Sequence, residues 1–328
     1  MPLTTKDLPG LAEPNPDAPL IYLDQWVWVE LALAARSGSG VYADLLGALT
    51  EMRASRRIAV ALTAANYLEL GQRRSSMSRR DVAKVMAEVT GYATLAAIHS
   101  VQAEEVRRAA AWVMTGANQP PAPLERHILL GVEANHAFAS QTGRYRFVER
   151  IAGEGATEGP ETGTPDSFRR GMAEVSPEKW EWLNLVGMDI DHSLPGVDYR
   201  PEHRLGDEFA LRRHQTRRFA TETPNDGSLL YRAIVLDQLR GMEDLIADAL
   251  PSDEIDRYFT GPVRGAAFIG AIPTAKTLVE LEFKAMLNPA YKFRQHDRDD
   301  LSHSPWPCLT RTSSCSKRTG RTSPRWPN

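Results

Sequence analysis

The stretch Leu20-Ile21-Tyr22-Leu23-Asp24-Gln25-Trp26 decides the fold. Its first four residues form a short apolar run of the kind that makes a buried strand. Asp24 ends the run. Gln25-Trp26-Val27-Trp28-Val29-Glu30-Leu31-Ala32-Leu33-Ala34 is then long and apolar enough for a helix, and Ser37-Gly38-Ser39-Gly40 breaks it. Residues 42–54 predict a second helix. Ile58-Ala59-Val60-Ala61-Leu62 predicts a second strand, Thr63 caps the next helix, and Ala64 to Gly71 continue it. The order strand–helix–helix–strand–helix predicts an α/β fold with a parallel sheet.

Outward from this segment the chain changes character. Residues 1–19 are a loose lead-in rich in Pro, Asp and Gly. From Ser78, a candidate helix cap, to about Val148 the pattern is mostly helical. A Pro-rich turn at Gln119–Pro123 is followed by a helix expected over Leu124 to Ser140. Residues 153–166 (GEGATEGPETGTPD) read as a flexible linker. Leu229 to Leu250 predicts one helix. Pro273 suits a first helical position, and Asn288-Pro289 stops the helix it starts. A charged segment, Arg294 to His303, comes next.

The composition sets bounds. The chain has 328 residues, 42% of them hydrophobic and 25% charged, which fits two domains or one domain with a large insertion. No apolar run approaches the roughly 18 residues of a membrane span. The first twenty residues lack the basic start and apolar stretch of a secretory signal. A net charge of −3 gives no global attraction to nucleic acid. The only two cysteines, Cys308 and Cys315, exclude a disulfide scaffold and a cysteine-rich zinc site. A cytoplasmic protein is the expectation.

Residues 304–328, SPWPCLTRTSSCSKRTGRTSPRWPN, break with everything before them. They carry five basic residues and no acidic ones. Without them 34 basic residues (39 less five) face 42 acidic ones, a net of −8. At face value this is a basic tail able to touch phosphates. A shifted reading frame accounts for it better. Trp306 followed by Pro307 forces the shifted codon to GCC, alanine. With GC-rich third bases the segment becomes A-V-A-L-P-Y-A-D-V-V-L-L-E-K-D-W-A-D-I-A-A-M-A. That is a helix end, a turn, an Asp, a buried strand and an acidic loop.

Carboxylates recur at informative places. Asp24 directly follows the first strand. Glu69 lies just over one helical turn past the second. Asp297, Asp299 and Asp300 cluster where a further helix is expected. Ligands of open α/β sheets bind beyond the carboxyl ends of the strands. Carboxylates converging there repel one another unless they share a hard cation, and Mg²⁺ or Mn²⁺ suits oxygen ligands. Such an ion generates a nucleophile from water and stabilises a leaving phosphate oxygen.

The segments Ile21-Tyr22-Leu23-Asp24-Gln25-Trp26, Ala64-Ala65-Asn66-Tyr67-Leu68-Glu69 and His296-Asp297-Arg298-Asp299-Asp300-Leu301-Ser302-His303 resemble the first three acidic motifs of PIN-like nuclease domains. The shifted frame's P-Y-A-D-V-V-L-L-E-K-D-W is similar to that family's closing strand and last acidic loop. The resemblance covers residues 20–70 and 270–303. It implies a PIN-like three-layer core with a parallel sheet, interrupted by a large mainly helical insertion. The core would occupy 20–75 and 266–303, the insertion 76–265, and a non-native tail 304–328. Asp24, Glu69 and Asp300 would be metal ligands for Mg²⁺ or Mn²⁺. Asp297 would be an auxiliary acidic group, and either it or Asp300 faces the metal. The implied activity is endonucleolytic cleavage of RNA, with DNA second, in a toxin or defence role. The chain as written lacks the closing strand and the fourth carboxylate, which would impair that activity. The rival expectation is a non-catalytic module binding RNA or a protein partner, a second copy of the chain included.

Each candidate also has a plainer reading. Asp24 alone suits a helix N-cap, Glu69 a solvated helix face, and Asp297 to Asp300 a helix start favoured by the macrodipole. Trp26 and Trp28 flank the first Asp; one or both belong in a core, and either could stack on a base. Arg212, Arg213, Arg217 and Arg218 form the best local basic patch for a nucleic-acid backbone. Arg73, Arg74, Arg79 and Arg80 form a second. His127 and His136 are nine residues apart and make a poor zinc pair. No phosphate-cradling glycine loop occurs.

Overall fold

The computed structural model describes residues 8–73, 75–145, 148–150, 158–161, 164–187, 218, 227–259, 262–288 and 290–292. β1 (Leu20–Ile21) pairs in parallel with β2 (Ala59–Val60), placing Leu20 opposite Ala59 and Ile21 opposite Val60. Beyond β2 the chain stays extended to Leu62. There a single parallel bridge to Thr94 joins it to β3 (Ala93–Leu95), through Leu62 N–H to Ala93 O at 2.9 Å and Leu95 N–H to Leu62 O at 2.8 Å. β3 pairs antiparallel with β4 (Leu130–Val132). A separate antiparallel pair is formed by β5 (Val148–Arg150) and β6 (Glu158–Glu161).

The helices α1 (Gln25–Ser37), α2 (Val41–Ala54), α3 (Ala64–Gly71) and α4 (Ser76–Thr90) surround β1 and β2. Their limits follow local chemistry. Asp24 caps α1, and Gly38 ends it at φ 69°; Ser75 caps α4, and Gly91 ends it at φ 60°. These are left-handed positions that a side chain resists. Then come α5 (Ile98–Thr115), α6 (Arg126–Leu129), α7 (Ala134–Phe138), α8 (Asp166–Ala173) and α9 (Pro177–Val186). The last described stretch holds α10 (Gly227–Gly241), α11 (Glu243–Ala249), α12 (Ser252–Phe259), α13 (Pro262–Gly270) and α14 (Pro273–Leu287).

Side chains alternate across the β2 segment, as a strand requires. Ile58, Val60 and Leu62 enter the main core, with Trp28, Leu31, Tyr67, Leu70, Met86 and Leu185. Ala59 and Ala61 face the other way, against Leu95, Val101, Leu129 and Leu130. The small alanines let α5 and the β4 segment approach that face. A second core is helix on helix: Val106, Ala109 and Ala110 of α5 meet Ile234, Leu239, Phe268, Ile272 and Val279. Glu105, buried on α5, ties the two halves of the chain together. Its Oε2 accepts the Thr274 backbone N–H at 3.0 Å and the Thr274 hydroxyl, capping the start of α14.

The expected α/β class is not what forms. The described residues are mostly helical, the strands run two to four residues, and no three-layer core with a parallel sheet is present among them. The apolar run at residues 20–23 gives strand pairing only at Leu20 and Ile21, because Pro19 lacks an N–H donor and Asp24 is already the cap of α1. So short a ladder buries little. The main core instead rests on the helices, whose fully buried side chains Trp28, Leu31, Tyr67, Leu70 and Met86 each gain roughly 1.5–3 kcal/mol from burial.

Three further expectations change. Leu124–Ser140 is not one helix but α6, β4 and α7, with Glu133 at φ 76° turning the chain between β4 and α7. Leu229–Leu250 is broken into α10 and α11 after Gly241. β6 lies inside the segment expected to be a linker. No helix among the described residues is long and apolar enough to cross a membrane.

Candidate functional site

Asp24 follows β1 by three residues, while Glu69 lies on α3, nine residues past the end of β2. Asp24 is exposed, and its Oδ1 accepts the Gln25 N–H at 2.7 Å, so the capping role anticipated for it is real. The cap engages one oxygen only. Glu69, half-buried on α3, lies six residues after the helix cap Thr63. Asn66 completes a capping box with Thr63: its Oδ1 accepts the Thr63 backbone N–H at 2.9 Å and the Thr63 hydroxyl at 3.2 Å.

Tyr22 feels the charge of both carboxylates. Burial pushes its phenol up to about 12, and the negative charges of Glu69 and, more weakly, Asp24 push the same way. Hydrogen bonding with the side chains of Thr63 and Asn66 opposes them. The Tyr22 hydroxyl thus shares its surroundings with the charges of two carboxylates and with the side chains of Thr63 and Asn66. All of these donors and acceptors are oxygen or amide groups, a set that fits a hard divalent cation and excludes a soft-metal site.

The third acidic group, Asp297 or Asp300, falls outside the described residues, as do Arg212, Arg213, Arg217 and the C-terminal tail. Among the described residues no group of three or more Asp, Glu, His or Cys side chains could hold a metal ion. Arg218 is exposed. Of the second basic patch, Arg74 lies outside the described residues and Arg80 is exposed, while Arg79 is buried and its guanidinium donates to the Arg73 carbonyl at 2.7 Å, closing the turn into α4. Of the two tryptophans, Trp28 is wholly buried in the core, while Trp26 is 58% exposed beside Asp24. His136 is also a packing residue. Its Nδ1 pairs with the Thr94 hydroxyl at 3.0 Å, and burial lowers its pKa.

Two larger surface hollows lie away from the carboxylates. One of about 340 Å³ runs between α10, α11 and α12. One of about 250 Å³ lies beside Arg53, Arg56 and Thr90, against Ile58 to Val60.

Sequence reasoning missed a second polar cluster. Glu181 on α9 has no solvent exposure; its Oε2 accepts the Ala134 N–H at 2.8 Å, while Oε1 completes no hydrogen bond. The hydroxyls of Tyr67 and Tyr92 are buried beside it, and the Tyr67 hydroxyl faces the carboxyl without a well-formed hydrogen bond. Burial lifts the Glu181 carboxyl to about 8; the Ala134 N–H opposes the shift and the Glu133 carboxylate adds to it. The signal was there in Trp180-Glu181-Trp182, an acid between two large apolar rings. Glu105 gave no such signal, because its partner lies 169 residues away. No family model, curated protein or solved structure matches the chain.

Proposed function

We propose that the carboxyl ends of β1 and β2 form the divalent-cation site of an endonuclease that hydrolyses phosphodiester bonds, RNA first and DNA second. The observation that supports this reading is that the charges of Asp24 and Glu69, from separate elements, both act on the one Tyr22 hydroxyl. Asp24 and Glu69 would hold Mg²⁺ or Mn²⁺, and the sequence offers Asp300, with Asp297 beside it, for the third position. When bound, such an ion activates water and neutralises charge developing on the phosphate. The protein's own groups bind and orient. The exposed Trp26 ring offers a face on which a base stacks. The reading needs Asp24 and Glu69 near one another, and it does not depend on the three-layer sheet that is absent among the described residues.

A second reading has its own support: the described residues supply two carboxylates where a metal wants more. It is a non-catalytic module that binds RNA or a protein through the same face. The two are separated by incubating labelled single-stranded RNA and DNA with Mn²⁺ and three proteins: this chain, a version whose last 25 codons are read in the shifted frame, and that version carrying Asp24→Asn. Cleavage by the frame-shifted version that Asp24→Asn abolishes supports the nuclease. Folded proteins that bind RNA, cut nothing and ignore Asp24→Asn support the module.

A further inference from the structure

At the amino ends of β2 and β3, the opposite end of the parallel strands from Asp24, lies the hollow of about 250 Å³ beside Arg53 and Arg56. Arg53 stands half-buried in the last turn of α2, and burial lowers its pKa. Its guanidinium lies over Gly91, the residue that ends α4: a Cβ there would run into Nη2 and Cζ. The missing side chain of Gly91 is what admits the group. Among the described residues no hydrogen bond or ion pair holds that guanidinium, and no carboxylate opposes the effect of burial. The negative end of the α4 dipole favours a cation here, yet it satisfies none of the five N–H donors. A half-buried cation without a counter-ion costs stability until an anion completes it. Arg56 lines the same hollow from an exposed position. Its carbonyl accepts Asn15 Nδ2 at 3.2 Å and its backbone stands at φ 55°, so the turn that carries this second cation is held in place. Glu13, exposed on the lead-in, also lines the hollow and makes no ion pair with either arginine.

We propose that Arg53 and Arg56 form a binding site for a small phosphate monoester, the Arg53 guanidinium taking phosphate oxygens over Gly91 and Arg56 closing on them from the rim. Size and charge select this class. Pockets for drug-sized ligands run to roughly 300–1,000 Å³, so this hollow suits a phosphate with a short body. A single carboxylate occupies one guanidinium fork, whereas the non-bridging oxygens of a phosphate dianion can occupy two. The site is separate from the proposed nuclease centre and does not depend on it.

The test titrates the full-length protein calorimetrically with glycerol phosphate, with glycerol as the phosphate-free control, and follows thermal melts with and without the ester. The parent should bind glycerol phosphate and ignore glycerol. Arg53→Gln removes the charge and should weaken binding by about tenfold or more; Arg53→Lys keeps the charge but loses the fork and should weaken it about threefold to tenfold. Arg56→Gln, at the exposed rim, should weaken it by about threefold. Without the ester Arg53→Gln should melt no lower than the parent, because it removes an uncompensated charge; with the ester only the parent's melting temperature should rise. If Arg53→Gln instead melts well below the parent without the ester, or fails to fold, Arg53 serves the end of α4 and the proposal falls. It falls too if glycerol phosphate does not bind the parent, or binds Arg53→Gln equally well. Binding of a single-stranded RNA with a terminal phosphate through Arg53, with none of glycerol phosphate, overturns the assignment to a small molecule.

Discussion

Glu181→Gln should make the protein more stable at alkaline pH and leave it nearly unchanged in acid. The Glu181 carboxyl stands at about 8 in the folded protein against 4.5 when unfolded. A raised folded value means that the folded state keeps a proton that the unfolded chain releases. Stability from this group is whole below about pH 4.5. It falls as the pH climbs to about 8 and then levels off. At roughly 1.36 kcal/mol per pH unit, the loss across that window is about 5 kcal/mol at most. Burial is the main cause of the shift; the Ala134 N–H and the Tyr67 side chain oppose it, the Glu133 carboxylate adds to it, and no cation takes part. Glutamine keeps the acceptor for the Ala134 N–H and carries no charge to bury.

The assay is urea unfolding of parent and Glu181→Gln at half-unit steps from pH 5 to 8.5. The difference between the two proteins removes the titration of every other group. Gln should match the parent within about 1 kcal/mol at pH 5 and exceed it by about 3–5 kcal/mol at pH 8.5, with a slope in between near that of one proton. Two curves that run parallel across the range would refute the reasoning. They would mean that Glu181 is solvated or ionised in the folded protein, and that Oε1 and the two tyrosine hydroxyls are not the dry cluster described.

Three other substitutions probe separate links. Glu133→Gly replaces a side chain held at φ 76° with the residue suited to it, and should raise the unfolding free energy by about 1 kcal/mol in a thermal melt. It should also lower the pH at which Glu181 titrates, because it removes a neighbouring negative charge. Glu105→Ala strips the cap from α14 and should cost about 1–3 kcal/mol, with hydrogen exchange rising first at Thr274 and the residues after it. Leu62→Ala, at a wholly buried position, should cost about 3 kcal/mol by chemical denaturation, and a cost under 1 kcal/mol would deny that the β2 segment lies in the main core.

Local chemistry explains which features could be read in advance. The strand–helix–helix–strand–helix order of residues 20–71 survives, because each boundary is set by one residue beside it: Asp24, Gly38, Thr63. So does Pro273 at the first position of α14. Asp24 and Glu69 could be singled out because each lies in an element that follows one of the two paired parallel strands. Tyr22 and Asn66 lie inside the same two motifs, yet nothing in their spacing says that one reaches the other. What failed was everything that depends on how far an element extends. Leu124–Ser140 has helical composition, but Leu130 to Val132 pair with β3 and the chain turns at Glu133 through a backbone angle that no pattern of apolar residues encodes.

The amino-acid sequence by itself determined the boundaries that a cap or a glycine sets, such as Asp24, Gly38 and Thr63, and the alternation of elements over residues 20–71, since capping, glycine freedom and periodicity act within a few residues. Only the tertiary structure decided that the sheet would be reduced to short pairs within a mostly helical protein. It alone buried Glu181 among tyrosines, joined Glu105 to Thr274, and set Asn66 against Tyr22. These outcomes turn on which distant surfaces pack together, and burial free energy is summed over contacts that sequence separation does not reveal.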